Sequence, residues 1–214
     1  MRRSAVLWST ALALLSICST AHATTFTFNT DPFAGSTALT TPGRQVVGGE
    51  PFIDFNIGTD LFLFDTLAFA PYGVTGPVHF VNATAPNIPS TGVNVVVLET
   101  FDNDANPATP FAAGNAADLI AGQITTPGAG FFIYFNQGLD LPRLVFSTDL
   151  NDNTADLKIL ARMVNLSGPA GQAALPGFAD DNFAIAAPEP STLSLLGLGI
   201  IGVCRRLRRK STIA

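Results

Sequence analysis

Apolar and polar residues alternate along much of this chain with a period of two. Thr25-Phe26-Thr27-Phe28-Asn29 alternates cleanly, and so does Ile53-Asp54-Phe55-Asn56-Ile57. That period places successive side chains on opposite faces of a strand. Residues 61–64, 78–81, 93–98, 131–135 and 144–146 are short apolar or β-branched runs, separated by Pro, Gly, Asn and Asp. Short strands punctuated this often predict an all-β domain over 24–186, an antiparallel β-sandwich or jelly roll. Residues 35–49, 86–92 and 103–114 read as loops. Residues 115–121 admit one short helix. Residues 155–166 fit both periods: Lys158 and Arg162 are four apart, as on a helix face, and both even, as on a strand face. Leu157, Ile159, Ala161 and Met163 line the other face, which favours a strand. Residues 181–185 read as a final strand running straight into the C-terminal tail. No internal repeat of 20–50 residues points to a solenoid or propeller.

The two ends break this pattern. Arg2 and Arg3, an apolar stretch over 5–17 and the small-x-small triplet Ala21-His22-Ala23 form the three parts of a secretory signal peptide, residues 1–23. Cleavage is expected after Ala23. Cys18 follows Ile17, a bulky residue that fits lipoprotein processing poorly. At the other end, residues 191–204 carry no charge and are rich in Leu, Ile, Val and Gly. As a helix they would span about 21 Å, against a hydrocarbon core of about 30 Å. Snorkelling arginine stems can make up part of the difference. The sequence thus predicts a single C-terminal transmembrane helix. Arg205, Arg206, Arg208, Arg209 and Lys210 follow it and place the C-terminus in the cytoplasm.

Pro188-Glu189-Pro190, the apolar stretch and the basic cluster stand in that order over 187–210. This arrangement resembles the PEP-CTERM sorting signal of bacterial surface proteins, also labelled an ice-binding protein C-terminal domain. The resemblance implies that an exosortase, a membrane-embedded cysteine-type transpeptidase, recognises Pro188, Glu189 and Pro190 and removes the tail near them. Arg205, Arg206, Arg208, Arg209 and Lys210 would be the stop-transfer cluster. It also implies a Gram-negative source that makes extracellular polysaccharide. The protein would be anchored transiently in the inner membrane, then reach the cell surface or the extracellular space.

Setting the ends aside changes the composition. Both cysteines, Cys18 and Cys204, leave with them, so the exported domain has no disulfide. Between residues 24 and 190 four basic residues, Arg44, Arg143, Lys158 and Arg162, face sixteen acidic ones, a net charge of −12. The whole-chain value of −5 hides this. So acidic a domain excludes nucleic acid as a partner. All 17 phenylalanines lie in it, which supplies a core without disulfides.

Candidate chemistry is sparse. His79 is the sole histidine after Ala23 and lies between Val78 and Phe80, as structural histidines do. There is no Gly-x-Ser-x-Gly elbow, no His-Glu-x-x-His and no cysteine nucleophile. Two Asx-rich clusters offer oxygen ligands for calcium: Asp102 with Asp104, and Asp149, Asn151, Asn153 and Asp156. Each matches positions 1, 3 and 5 of the twelve-residue calcium loop, but position 6 is Pro107 or Thr154 and position 12 is Ala113 or Leu160. Asx-rich segments also build plain turns. No cofactor is otherwise implied. The expectation is an exported surface or matrix protein without catalytic activity, delivered by the secretion machinery and exosortase. A glycan-binding module, calcium-dependent or not, with extracellular polysaccharide as its partner, is the alternative. A secreted hydrolase with paired carboxylates, drawing on Glu50 or Glu99, comes third.

Overall fold

A computed structural model of the chain describes residues 23–186. Most of the signal peptide and the apolar segment 191–204 lie outside the described residues. Among the described residues no helix is long and apolar enough to cross a membrane.

The alternation over 25–28 does become a strand, whereas of the alternating residues 53–57 only Ile53 does; the domain is β-rich. Its ten strands are β1 (Thr25–Phe28), β2 (Val46–Val47), β3 (Phe52–Ile53), β4 (Leu61–Asp65), β5 (Phe80–Ala83), β6 (Val95–Leu98), β7 (Gly130–Asn136), β8 (Leu141–Ser147), β9 (Leu157–Met163) and β10 (Phe183–Ala186). Three short helices join them: α1 (Thr66–Phe69), α2 (Ala113–Ala121) and α3 (Gly168–Ala174). The strands form two sheets, a small one ordered β1-β4-β10 and a large one ordered β2-β9-β8-β7-β6-β5, with β3 also pairing β9.

The expected antiparallel sandwich or jelly roll is corrected by the pairing. In the small sheet both β1 and β10 run parallel to β4. In the large sheet only the β7-β8-β9 meander is antiparallel; β5, β6 and β7 run parallel, as do β2 and β3 with β9. Period two encodes which face a residue occupies but not the direction of the neighbouring strand. Parallel neighbours need long crossovers, and the chain has them: residues 29–60 separate β1 from β4, and residues 99–129 separate β6 from β7.

The large sheet is covered on both faces. Phe26, Phe28, Phe62, Phe64 and Phe183 of the small sheet share one core with Val95, Val97, Phe131, Ile133, Leu144 and Phe146 of the large sheet. Phe64 stacks on Phe131 at 3.6 Å between ring centroids, and Phe55 stacks on Phe62 at 4.1 Å. On the opposite face Val96, Leu98, Phe132, Tyr134, Val145 and Ile159 pack under Ala116, Ala117 and Ile120 of α2. Three layers result. Burial on both sides explains why Val95-Val-Val-Leu98 and Phe131-Phe-Ile-Tyr-Phe135 read as unbroken apolar runs. The helix starts where Asn115 reaches back to accept from the Ala112 amide at 3.0 Å, satisfying a donor the helix itself leaves free. At the start of β7, Gly130 is required by space: a Cβ there would lie 2.5 Å from the Asn94 carbonyl oxygen.

Within 155–166 a strand does form, over Leu157–Met163, with one change in its faces. The β8–β9 register shifts between Leu144 and Val145. Leu157 and Ile159 therefore face α2, whereas Leu160, Ala161 and Met163 face the small sheet. The four odd-numbered residues do not share one face, because the irregularity rotates the strand between them.

Candidate functional site

The register of the meander sets Arg143 of β8 directly opposite Arg162 of β9. Like charges in that relation repel. The link between β2 and β3 supplies the answer. Glu50 is buried, its side chain 1% exposed, and one carboxylate oxygen accepts from both arginines: from Nη2 of Arg143, and from Nε of Arg162 at 2.5 Å. The link is fixed at its other end as well, since the Arg162 amide donates to the Pro51 carbonyl at 3.0 Å. The ring of Phe52 lies 5.0 Å from the Arg162 guanidinium carbon, a cation–π contact. On the inner side the buried Tyr134 hydroxyl accepts from Asn136 at 2.9 Å and from Arg143 at 3.4 Å.

Burial alone would raise the Glu50 carboxyl. Hydrogen bonds from Arg162, from its own backbone amide and from Arg143 outweigh it, and the group sits below the usual glutamate range. Burial pushes the Tyr134 hydroxyl up, against the pull of Arg143. The cluster is thus a fixed carboxylate between two cations. A general acid needs the opposite tuning. Beside it a cleft of about 430 Å³ is bordered by Thr27, Asn29, Thr30, Asp31, Glu50 and Lys158.

The first Asx cluster is engaged with its own loop, and the second is engaged with its own loop and with remote backbone groups. Asp102 accepts from the amides of Asp104 and Ala105, both at 3.1 Å. Asp104 accepts from the Asn106 amide and the Thr109 hydroxyl, the latter at 2.6 Å, which holds it below the usual carboxylate range. In the second cluster Asp149 accepts from Gly128 and Asn151, and Asn151 donates to the Ile124 carbonyl. Asp156 turns the other way, to the Gln45 amide at 2.7 Å. Asp149, Asn151 and Asn153 share an open depression with Asp118 and Asp152; Asp156 does not line it, and Asp102 and Asp104 belong to a different loop. Among the described residues no three His, Cys, Asp or Glu side chains gather where they could hold a metal ion.

Arg44 closes this corner. It donates to Asp118 at 2.7 Å, to the Gly114 carbonyl at 2.8 Å and to the Asn153 carbonyl, tying α2 to the 149–156 loop. His79 is exposed, and its backbone amide donates to the Asn94 side chain at 2.7 Å. The Glu50 cluster and Arg44 were not foreseen from the sequence. The available signal was scarcity: four basic residues in an acidic domain each need a reason to be there.

The C-terminal end of the domain is where the chain resembles known proteins. Residues 186–210 match the PEP-CTERM protein-sorting motif. No curated protein and no solved structure matches this chain. The chain therefore carries a PEP-CTERM sorting signal, which implies export, membrane-anchored processing and exosortase as the processing partner. The motif begins at Ala186, the last residue of β10, paired with Asp65 of β4. Pro188, Glu189, Pro190, Arg205, Arg206, Arg208, Arg209 and Lys210 lie outside the described residues, as does Ala21; Ala23 is described and exposed.

Proposed function

We propose that this is an exported envelope or matrix protein without catalytic activity, whose β domain is delivered and then released by removal of its C-terminal sorting signal. The observation that carries the reading is the junction at Ala186. The motif begins as the last sheet residue ends, so cleavage near Pro188-Glu189-Pro190 would leave every strand intact. β10 runs parallel to β4 and leaves the sheet beside α1. Leu67 of α1 is 82% exposed. The fixed Glu50 carboxylate and the exposed His79 favour a domain that acts through its surface over a hydrolase.

A second reading, a glycan-binding module, draws on the cleft beside Glu50. Its polar border of Thr27, Asn29, Thr30 and Asp31 suits sugar hydroxyls. Retention on polysaccharide columns separates the two readings. Sorting is tested by replacing Pro188, Glu189 and Pro190 with alanine in the full chain. Retention of the tail, and of the protein in the inner membrane, is expected; normal tail removal would overturn the reading.

A further inference from the structure

Asp60 is a buried carboxylate, 4% exposed, just before β4. Its donors are neutral: the Thr24 amide at 2.9 Å on Oδ1, the Thr59 hydroxyl at 3.2 Å, and the Asn56 amide at 2.8 Å on Oδ2. A buried charge is costly unless it is paired. Yet none of the ion pairs among the described residues involves Asp60. The four basic side chains of the domain are engaged elsewhere: Arg44 at α2, Arg143 and Arg162 at Glu50, and Lys158 on the Gly48 carbonyl.

We infer that the missing cation is the α-ammonium of Thr24, made when signal peptidase cuts the chain, so that maturation itself completes the Asp60 site. The inference rests on cleavage after Ala23. Hydrolysis of the Ala23–Thr24 peptide bond consumes one water and leaves a carboxylate on Ala23 and an ammonium on Thr24. The nitrogen that now donates to Asp60 at 2.9 Å as a neutral amide becomes a full positive charge in the same place. Its position is already fixed, because the Thr24 carbonyl accepts from the Leu61 amide at 2.9 Å and Thr25 pairs with Leu61 in the sheet.

The corner joins all three strands of the small sheet. The Asp60 carbonyl accepts from the buried Asn182 side chain at 2.9 Å, and Asn182 directly precedes β10. The new terminus would therefore clamp the starts of β1, β4 and β10 together. Asp54 and the pair Asp180 and Asp181 flank the contact residues Asn56 and Asn182 in sequence and are acidic, and no basic side chain stands on these described segments. The amide bond to the carboxylate is already charge-assisted; the ammonium adds the attraction of a full opposite charge, about 1 kcal/mol for a pair at the edge of solvent. The clamp would strengthen only after export, at the moment the signal peptide leaves.

The test compares the exported protein with a variant carrying one serine inserted between Ala23 and Thr24. The variant keeps Asp60 and the Thr24 amide but moves the charge one residue out, at an exposed position with room for it. N-terminal sequencing is expected to give Thr24 as the first residue of the native protein. At pH 6.5 the native protein is expected to melt about 2–4 °C above the variant. An α-amine titrates near pH 8 and a carboxylate partner moves it upward. The advantage is thus full at pH 6.5 and lost as the pH rises well past that range. Asp60→Asn, a second variant, should show no such alkaline loss. Equal midpoints for native and inserted proteins at pH 6.5, with Thr24 confirmed as the first residue, would overturn the ion pair alone. A different first residue would overturn the cleavage reading and the ion pair with it.

Discussion

Replacing Glu50 with alanine removes the anion that lies between two opposed arginines. The Arg143 side chain is 13% exposed and the Arg162 side chain 27%, so neither can reach full hydration without moving. Breaking a buried pair by removing one partner costs about 3–5 kcal/mol. Partial exposure of Arg162, and its cover by Phe52, place this case near the lower end, about 3 kcal/mol. For a domain of this size that lowers the melting midpoint by about 6–12 °C. Circular dichroism melts of the exported protein, with urea titrations at 25 °C, measure it. Replacing all three residues, Glu50→Ala with Arg143→Met and Arg162→Met, should recover much of the loss, because no charge is left buried. Acid sensitivity follows from the same carboxyl. Its folded-state pKa is depressed, so its contribution is present above the ordinary glutamate range and is lost as the pH falls through the depressed value. Glu50→Gln should flatten that acid limb. A Glu50→Ala protein within about 1 kcal/mol of native would refute the reasoning, since two half-buried, opposed cations would then have lost their anion at little cost.

Other expectations follow from packing and from the Asx loops. Phe131→Ala removes a ring packed against Phe64, Phe69 and Phe146 and should cost about 3–5 kcal/mol in urea titration; the Phe64→Ala, Phe131→Ala double variant should cost less than the sum of the two singles, because the rings touch. At Gly171 a Cβ would lie 1.7 Å from the Leu166 carbonyl oxygen, so Gly171→Ala should destabilise by about 3 kcal/mol, and an unchanged midpoint would show that α3 shifts freely. Asp102, Asp104, Asp149 and Asp156 already accept from protein donors, so melting in calcium and in chelator should coincide; a rise of several degrees in calcium would show an ion site.

Strand positions were largely legible because exposure alternates in β1 and apolar runs mark the doubly covered β6 and β7. Strand direction was not, because the same alternation fits a parallel or an antiparallel neighbour. Of the helix Ala113–Ala121, residues 115–121 were readable as a possible short helix and 113–114 were read as loop; α3 was not readable, since Gly168-Pro-Ala-Gly carries turn chemistry and is set by the close approach of Gly171 to Leu166. The Asx clusters were visible as oxygen-rich loops, but partners of the second cluster's oxygens come from Gln45 and Gly128, remote in sequence. The Glu50 cluster joins residues 93 and 112 positions apart, and no local pattern announces such a contact. The sorting motif was readable because its parts are contiguous, and residues 186–210 match it.

The last strand of the sheet domain ends at Ala186, where the sorting motif begins. The intact mass of the surface-exposed protein, from cells that contain an exosortase, tests this most directly. A chain that starts at Thr24 and ends between Ala186 and Pro190 is expected. A mass that still includes the basic cluster from Arg205 to Lys210 would contradict it.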